Sequence, residues 1–152
     1  MKVQIFTLLL FICGLSTQLN AQKGLDGVWE GTITIGGIYS TQALPIQLYL
    51  TVEGNRVEGR SYVKTGENTT VQMHLSGRVF RDNSIQLSEV EFIGDEENDQ
   101  FPKFNRQYQL IWKRDLWEAG LNGYWQEVTN ITFAKFRQRG RLKLTKQKPK
   151  GV

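Results

Sequence analysis

The chain has 152 residues and a formal net charge of +4, from 19 basic and 15 acidic side chains. The last eighteen residues carry eight bases and no acid, which leaves about −5 on residues 22–134. Cys13 is the only cysteine and lies before the expected mature chain, which excludes disulfides, thiol catalysis and thiolate metal sites there.

The first 21 residues have the features of a secretory signal peptide. An apolar run extends from Ile5 to Leu15, and Leu19-Asn20-Ala21 is a small-residue type of cleavage site. A run of about 11 residues is too short to span a bilayer, which takes roughly 20. Ile12 precedes Cys13 where a lipoprotein normally has a small residue, which disfavours lipidation at Cys13. We therefore expect a secreted or periplasmic protein with no transmembrane segment.

The folded part of the mature chain is predicted to begin with a strand that contains Trp29. Trp29, Ile33 and Ile35 alternate with polar residues, and residues 46–52 alternate in the same way. A period of two is typical of half-buried β-strands. Gly54-Asn55 is a two-residue turn signal after the second strand. Further extended segments follow at residues 56–64, 71–79, 85–92, 107–113, 116–126, 131–136 and 141–144.

One of these strands changes phase along its length. Ile85 and Leu87 share one parity, whereas Val90 and Phe92 have the other. A shift of this kind indicates an extra residue in the strand, so the pattern predicts a β-bulge near Ser88-Glu89.

The pattern predicts an all-β protein of about eight strands with short links. Sequential strands of this kind favour an antiparallel meander, and eight of them can close into an up-and-down barrel. A two-sheet β-sandwich produces the same local signals and remains the alternative. We expect one barrel domain over residues 22–145 and a disordered basic tail over residues 146–152.

The strand that begins the fold also carries a short motif. Gly27-Val28-Trp29 resembles the G-x-W signature of the calycin superfamily, the lipocalins and avidin-type barrels, and Leu25 extends it to the avidin-type L-x-G-x-W. The chain resembles the small secreted calycin-like proteins of gram-negative bacteria more closely than it resembles the lipocalins. The resemblance implies that Trp29 plugs one end of the barrel, with Arg141 or Arg137 from the last strand against its ring.

Aromatic side chains are the candidate ligand-binding residues. The predicted inward positions in a barrel of this size include Tyr108, Trp112, Trp125 and Met73. Aromatic rings can hold a small apolar or amphipathic ligand through few polar contacts. The alternative is that these side chains fill the barrel themselves, as those of small eight-stranded barrels do.

Three polar features of the sequence could either face solvent or take part in binding or catalysis. His74 is the only histidine and shares the parity of Gln72 and Arg78, which predicts a solvent-facing residue rather than a metal ligand or catalytic base. Asp95 to Asp99 could bind Ca²⁺ but lacks EF-hand spacing, so a solvated loop is expected. The basic segment Lys135 to Lys150 can face solvent or bind an anionic surface; secretion disfavours nucleic acid.

Catalytic chemistry has little support in the pattern. Recognisable triads, phosphate loops and zinc spacings are missing from the sequence. Glu89 and Glu91 are two residues apart on one strand and could share a face as paired carboxylates. We expect a protein that is not an enzyme and holds no metal or cofactor. Two functions remain open: binding a small ligand inside the barrel, or binding a protein or anionic polymer with the outer surface and the basic C-terminal strand.

Overall fold

The computed structural model describes residues 24–93, 106–115, 118–128 and 138–148. These residues form eight strands and no helix: β1 (Gly27–Thr34), β2 (Ala43–Glu53), β3 (Arg56–Lys64), β4 (Thr70–Val79), β5 (Ser84–Ile93), β6 (Arg106–Lys113), β7 (Gly120–Glu127) and β8 (Arg139–Lys146). Each strand pairs antiparallel with the next, and β1 pairs with β8, so the sheet closes. The predicted eight-stranded up-and-down barrel is confirmed, and the sandwich alternative is wrong.

The alternation along each strand separates the barrel interior from its outer surface. Leu48 and Leu50 of β2 are at most 3% exposed, whereas Tyr49 between them is 45% exposed. Successive side chains of a strand point to opposite faces, so one set fills the interior. Burial of apolar surface stabilises the barrel by roughly 25 cal/mol per Å². Among the described residues, 21 buried hydrophobic side chains fill the interior, contributed by all eight strands and by Leu25.

The link between β2 and β3 is the two-residue turn expected at Gly54-Asn55. Gly54 has φ 63°, a left-handed conformation that favours glycine. The register pairs Val52 with Val57 on one side of the turn, so the hydrophobic face continues from one strand to the next.

The predicted bulge lies in β5, one or two residues from the expected position. Leu75 of β4 pairs with Glu89, but His74 pairs with Glu91, so Val90 is the extra residue. Glu89 keeps the inward parity of Ile85 and Leu87 and is 2% exposed, whereas the extra residue turns Glu91 outwards, and its side chain is 74% exposed. The two carboxylates do not share a face, and the candidate catalytic pair of Glu89 and Glu91 is therefore wrong.

Trp29 lies at the end of the barrel where the β2–β3 and β4–β5 turns are located. Its ring is fully buried, and its Nε1 donates to the carbonyl oxygen of Leu25 at 2.9 Å. The nitrogen of Lys146 lies 5.7 Å from the ring centroid, and Lys146 is also the register partner of Trp29. Trp29 thus packs under the chain that enters β1, against the final residue of β8.

The cation beside Trp29 is Lys146 and not Arg141, which corrects the expectation for that residue. Arg141 lies five positions earlier on β8, or about 17 Å away along an antiparallel strand. Its side chain points outwards, and its Nη2 donates to the carbonyl oxygen of Ser40 at 3.4 Å. The resemblance to the G-x-W signature implied a base of the last strand against the ring, and the register places Lys146 there. Arg137 lies outside the described residues.

Candidate functional site

The residues predicted to bind a ligand lie in the packed interior. Their exposed fractions are 0% for Tyr108, 1% for Trp125, 4% for Trp112 and 7% for Met73. Trp125 also has a structural bond, because its Nε1 donates to the carbonyl oxygen of Thr34 at 2.8 Å. These positions match the alternative in which the aromatic side chains fill the barrel, and their role in binding stays a prediction.

A polar cluster lies among these interior side chains. Glu89 of β5 accepts hydrogen bonds from three donors: the backbone N–H of Arg106 at 2.9 Å, Arg106 Nη1 at 3.1 and 3.4 Å to its two oxygens, and the hydroxyl of Tyr108 at 2.5 Å. Arg106 is 1% exposed, and its Cζ lies 5.2 Å from the centroid of the Trp125 ring. Because a buried charge is costly without a partner, the cluster holds β5 against β6.

Burial is the largest influence on the pKa values of Glu89 and Tyr108 in this cluster. Desolvation raises the pKa of Glu89 above its ordinary value, and the charge of Arg106 and the hydrogen bond from Tyr108 only partly oppose it. Desolvation also raises the pKa of Tyr108 well above its ordinary value, with a further contribution from the charge of Glu89. Tyr108 is therefore a neutral donor at physiological pH.

The interior position of Arg106 was not predicted, although the sequence contains a signal for it. Tyr108, Leu110 and Trp112 were expected to share one face of β6. Extending that series by two residues reaches Arg106, which is the first residue of the strand. An arginine at such a position looks like the polar end of a strand until Glu89 is also known to face inwards.

The outer surface of the last three strands carries a different set of side chains. We call it the β6–β8 wall, and it consists of Gln107, Gln109 and Ile111 of β6, Asn122, Tyr124 and Gln126 of β7, and Arg139, Arg141 and Lys143 of β8. Tyr124 is 58% exposed and Ile111 is 57% exposed. A cleft of about 890 Å³ lies over this wall and continues onto β1 and β5.

The register arranges the wall into rows that run across the strands. One row is Gln86, Gln109, Tyr124 and Arg141, in neighbouring positions from β5 to β8. A second row is Ser84, Ile111, Asn122 and Lys143, and it continues to Thr32 of β1. Neighbouring strands are about 4.8 Å apart, so an aromatic ring, amides and a cation lie within one small area.

Gly123 lies on the floor of this cleft, between the two rows. A Cβ at this position would lie 2.0 Å from the backbone oxygen of Gln109, so only glycine permits the close approach of β7 to β6. The position has inward parity but no side chain to hold the strand away from its neighbour. The concave shape of the wall therefore has a local cause in the sequence.

Charge distinguishes this wall from the opposite side of the barrel. Arg141 and Lys143 line the β6–β8 cleft, and none of its lining residues is acidic. A second cleft of the same volume lies on the outer surface of β2–β5, but its Arg56 forms an ion pair with Glu58. Cleft size therefore does not separate the two surfaces, whereas the presence of acidic lining residues does.

The other polar residues singled out in the sequence are the single histidine, the basic C-terminal segment and the acidic segment. His74 lies on the outer surface, and its Nε2 is 3.9 Å from a carboxylate oxygen of Glu91. Lys146 donates to the carbonyl oxygen of Gly24 at 2.6 Å, so this base of the C-terminal segment is engaged with the chain itself. Lys143 points outwards into the β6–β8 cleft. The acidic segment Asp95 to Asp99 lies outside the described residues.

Within the described ranges, no group of three or more His, Cys, Asp or Glu side chains could hold a metal ion. The same part of the chain contains no helix that is long and apolar enough to cross a membrane. The chain matches no protein-family model, no curated protein and no solved structure.

Proposed function

We propose that the protein is a secreted, non-enzymatic binding module that holds an anionic polymer on the β6–β8 wall. The observation that carries the proposal is the cleft in which exposed Tyr124 lies between Gln109 and Arg141, with Lys143 in the next row. Secretion is supported by the apolar run Ile5–Leu15, which has the length of a signal peptide core.

The interior is the less favourable place for a ligand. Tyr108 and Trp125 are at most 1% exposed, and Arg106 and Glu89 occupy the space beside them. A ligand inside the barrel would have to displace these packed groups and leave the buried Arg106–Glu89 pair partly unsatisfied. Such a loss costs several kcal/mol, so the geometry favours the outer wall over an interior site.

The charge of the wall supports an anionic partner. Arg139, Arg141 and Lys143 project from alternate positions of β8, about 7 Å apart along the strand. No acid occurs in β6 or β8, and the acid of β7 is Glu127 at its final position. A cationic row on a strand without acids attracts polyanions, and salt screens that attraction over about 10 Å at 0.1 M.

The test is the affinity of the mature protein for immobilised anionic polymers at two salt concentrations. Replacing Arg141 and Lys143 by Gln should weaken binding about tenfold, which corresponds to ~1.4 kcal/mol. The matched control replaces Arg60 and Lys64, an exposed Arg and Lys of β3, and changes the net charge equally. Equal weakening by both pairs would indicate net charge alone and would refute a site on the wall.

A further inference from the structure

We infer that the polymer is a polysaccharide whose sugar units carry carboxylates, with one sugar ring lying on Tyr124 and its carboxylate at Arg141. The inference rests on the proposed function and deepens it, because it names the class of polymer. Three features of the β6–β8 wall support it: an exposed flat ring, amide side chains near that ring, and an arginine next to it in the same row.

Tyr124 supplies the surface for a sugar ring. It is 58% exposed although it occupies the middle of β7, and it is flanked by Gln109 on one side and Arg141 on the other. Directly opposed side chains of antiparallel strands have Cβ atoms about 5 Å apart. The apolar body of a tyrosine covers a large area at low entropic cost, which suits the flat C–H face of a sugar.

The amides supply partners for hydroxyl groups. Gln86, Gln109 and Asn122 are exposed in the cleft around Tyr124. A primary amide both donates and accepts hydrogen bonds, as a sugar hydroxyl does, whereas carboxylate side chains only accept. Gln126 Nε2 donates to Gln107 Oε1 at 3.2 Å, which shows that side chains of this wall reach one another across β6 and β7.

Arg141 supplies the recognition of the carboxylate. A guanidinium has five N–H donors in a planar fork, which matches the two oxygens of a carboxylate. One of these donors contacts the carbonyl oxygen of Ser40 at 3.4 Å, and this contact orients the guanidinium at the edge of the cleft. Lys143, two residues further along β8, can neutralise a second carboxylate of the same chain.

An extended acidic peptide fits the wall less well than a sugar chain does. Peptides commonly bind a sheet by adding a strand to an open edge. Here β1 pairs with β8 and closes the sheet, so the wall offers side chains rather than backbone groups. Hydroxyl-rich units with attached carboxylates use these side chains more fully than a polypeptide backbone would.

The experiment compares four soluble polymers in titrations of the mature protein: polygalacturonate, poly-L-glutamate of similar length, neutral dextran and oligothymidylate. Polygalacturonate should bind most tightly. Tyr124→Ala should weaken this binding about tenfold, and Tyr124→Phe should keep it within about twofold because the ring remains. Tyr49→Ala, on the opposite side of the barrel, is the matched control and should leave binding unchanged.

Each other outcome overturns a defined part of the argument. Polyglutamate or oligothymidylate binding as tightly as polygalacturonate, or binding unaffected by Tyr124→Ala, would refute the sugar inference and leave an anionic-polymer site standing. Failure of all three polyanions to bind would refute both the inference and the proposed function. Circular dichroism and urea denaturation of each variant check that the barrel is intact.

Discussion

The interior of the barrel and the β6–β8 wall use the same residue types in opposite ways. Tyr108 pairs with Trp125 inside the barrel, and one residue further along the same two strands Gln109 pairs with Tyr124 outside it. Arg106 is buried against Glu89, whereas Arg141 is exposed in a cleft without acids. Aromatic and basic content therefore does not locate a binding surface, because a shift of one residue moves a side chain to the other face.

The comparison predicts that interior changes alter stability and wall changes alter binding. The largest effect is expected from Arg106→Leu, which leaves Glu89 buried without its cation. Breaking a buried pair by removing one partner costs about 3–5 kcal/mol. The free energy of unfolding should be measured by urea denaturation. Replacing both residues by Leu should recover part of the loss, and a double variant no better than the single one would contradict the pairing.

A loss of similar size is expected at the other end of the barrel. Trp29→Ala removes a fully buried ring from beneath the chain that enters β1. Truncation of a buried tryptophan costs about 3–5 kcal/mol. Tyr124→Ala should cost less than about 1 kcal/mol, because its ring is more than half exposed. A change below about 1 kcal/mol for Trp29→Ala would show that the ring is not a structural plug.

The contribution of the interior to the free energy of unfolding should also depend on pH. Burial raises the pKa of Glu89 above its ordinary value of 4.5, so above pH 4.5 the folded state holds a proton that the unfolded state has released. Glu89 therefore stabilises the fold most below pH 4.5, and this contribution declines as pH rises through the folded pKa. The free energy of unfolding of the wild type minus that of Glu89→Gln, measured across pH, should therefore decrease as pH rises. An increase of this difference with rising pH would contradict the prediction.

The smallest stability effect is expected on the wall. Arg141→Gln with Lys143→Gln should change the free energy of unfolding by no more than about 0.5 kcal/mol, because both side chains are exposed. The same variant should bind anionic polymer about tenfold more weakly. A large stability loss would mean that the wall contributes to the fold, and the separation between interior and wall would fail.

The sequence predicts the barrel well because the signals for it are local. The alternation of β2 and the turn at Gly54-Asn55 suffice for one hairpin, and similar patterns recur along the chain. Closure depends on the pairing of β1 with β8, which no local pattern shows directly. Trp29 lies buried at one end of that barrel, and the relation of its G-x-W motif to the calycin superfamily stays a prediction.

The neighbours of individual side chains were harder to predict, because they depend on the register between strands and on a single extra residue in β5. Glu89 faces inwards with Ile85 and Leu87, and the extra residue Val90 turns Glu91 outwards, so spacing alone suggested a pair that does not exist. Lys146, rather than Arg141, faces Trp29 because the β1–β8 register places it there. The outward parity of Tyr124 could have been read from its neighbour Trp125, but nothing in one strand shows which residues of other strands lie beside it.

The most direct test of the account is a map of polymer contacts by backbone amide chemical shifts of the mature protein. On titration with polygalacturonate, the largest changes should fall on β7 and β8, around Tyr124, Arg141 and Lys143. The amides of Tyr108 and Arg106 and those of the opposite surface, such as Tyr49, should change little. Changes centred on the interior residues, or on β2 and β3, would contradict a binding site on the β6–β8 wall.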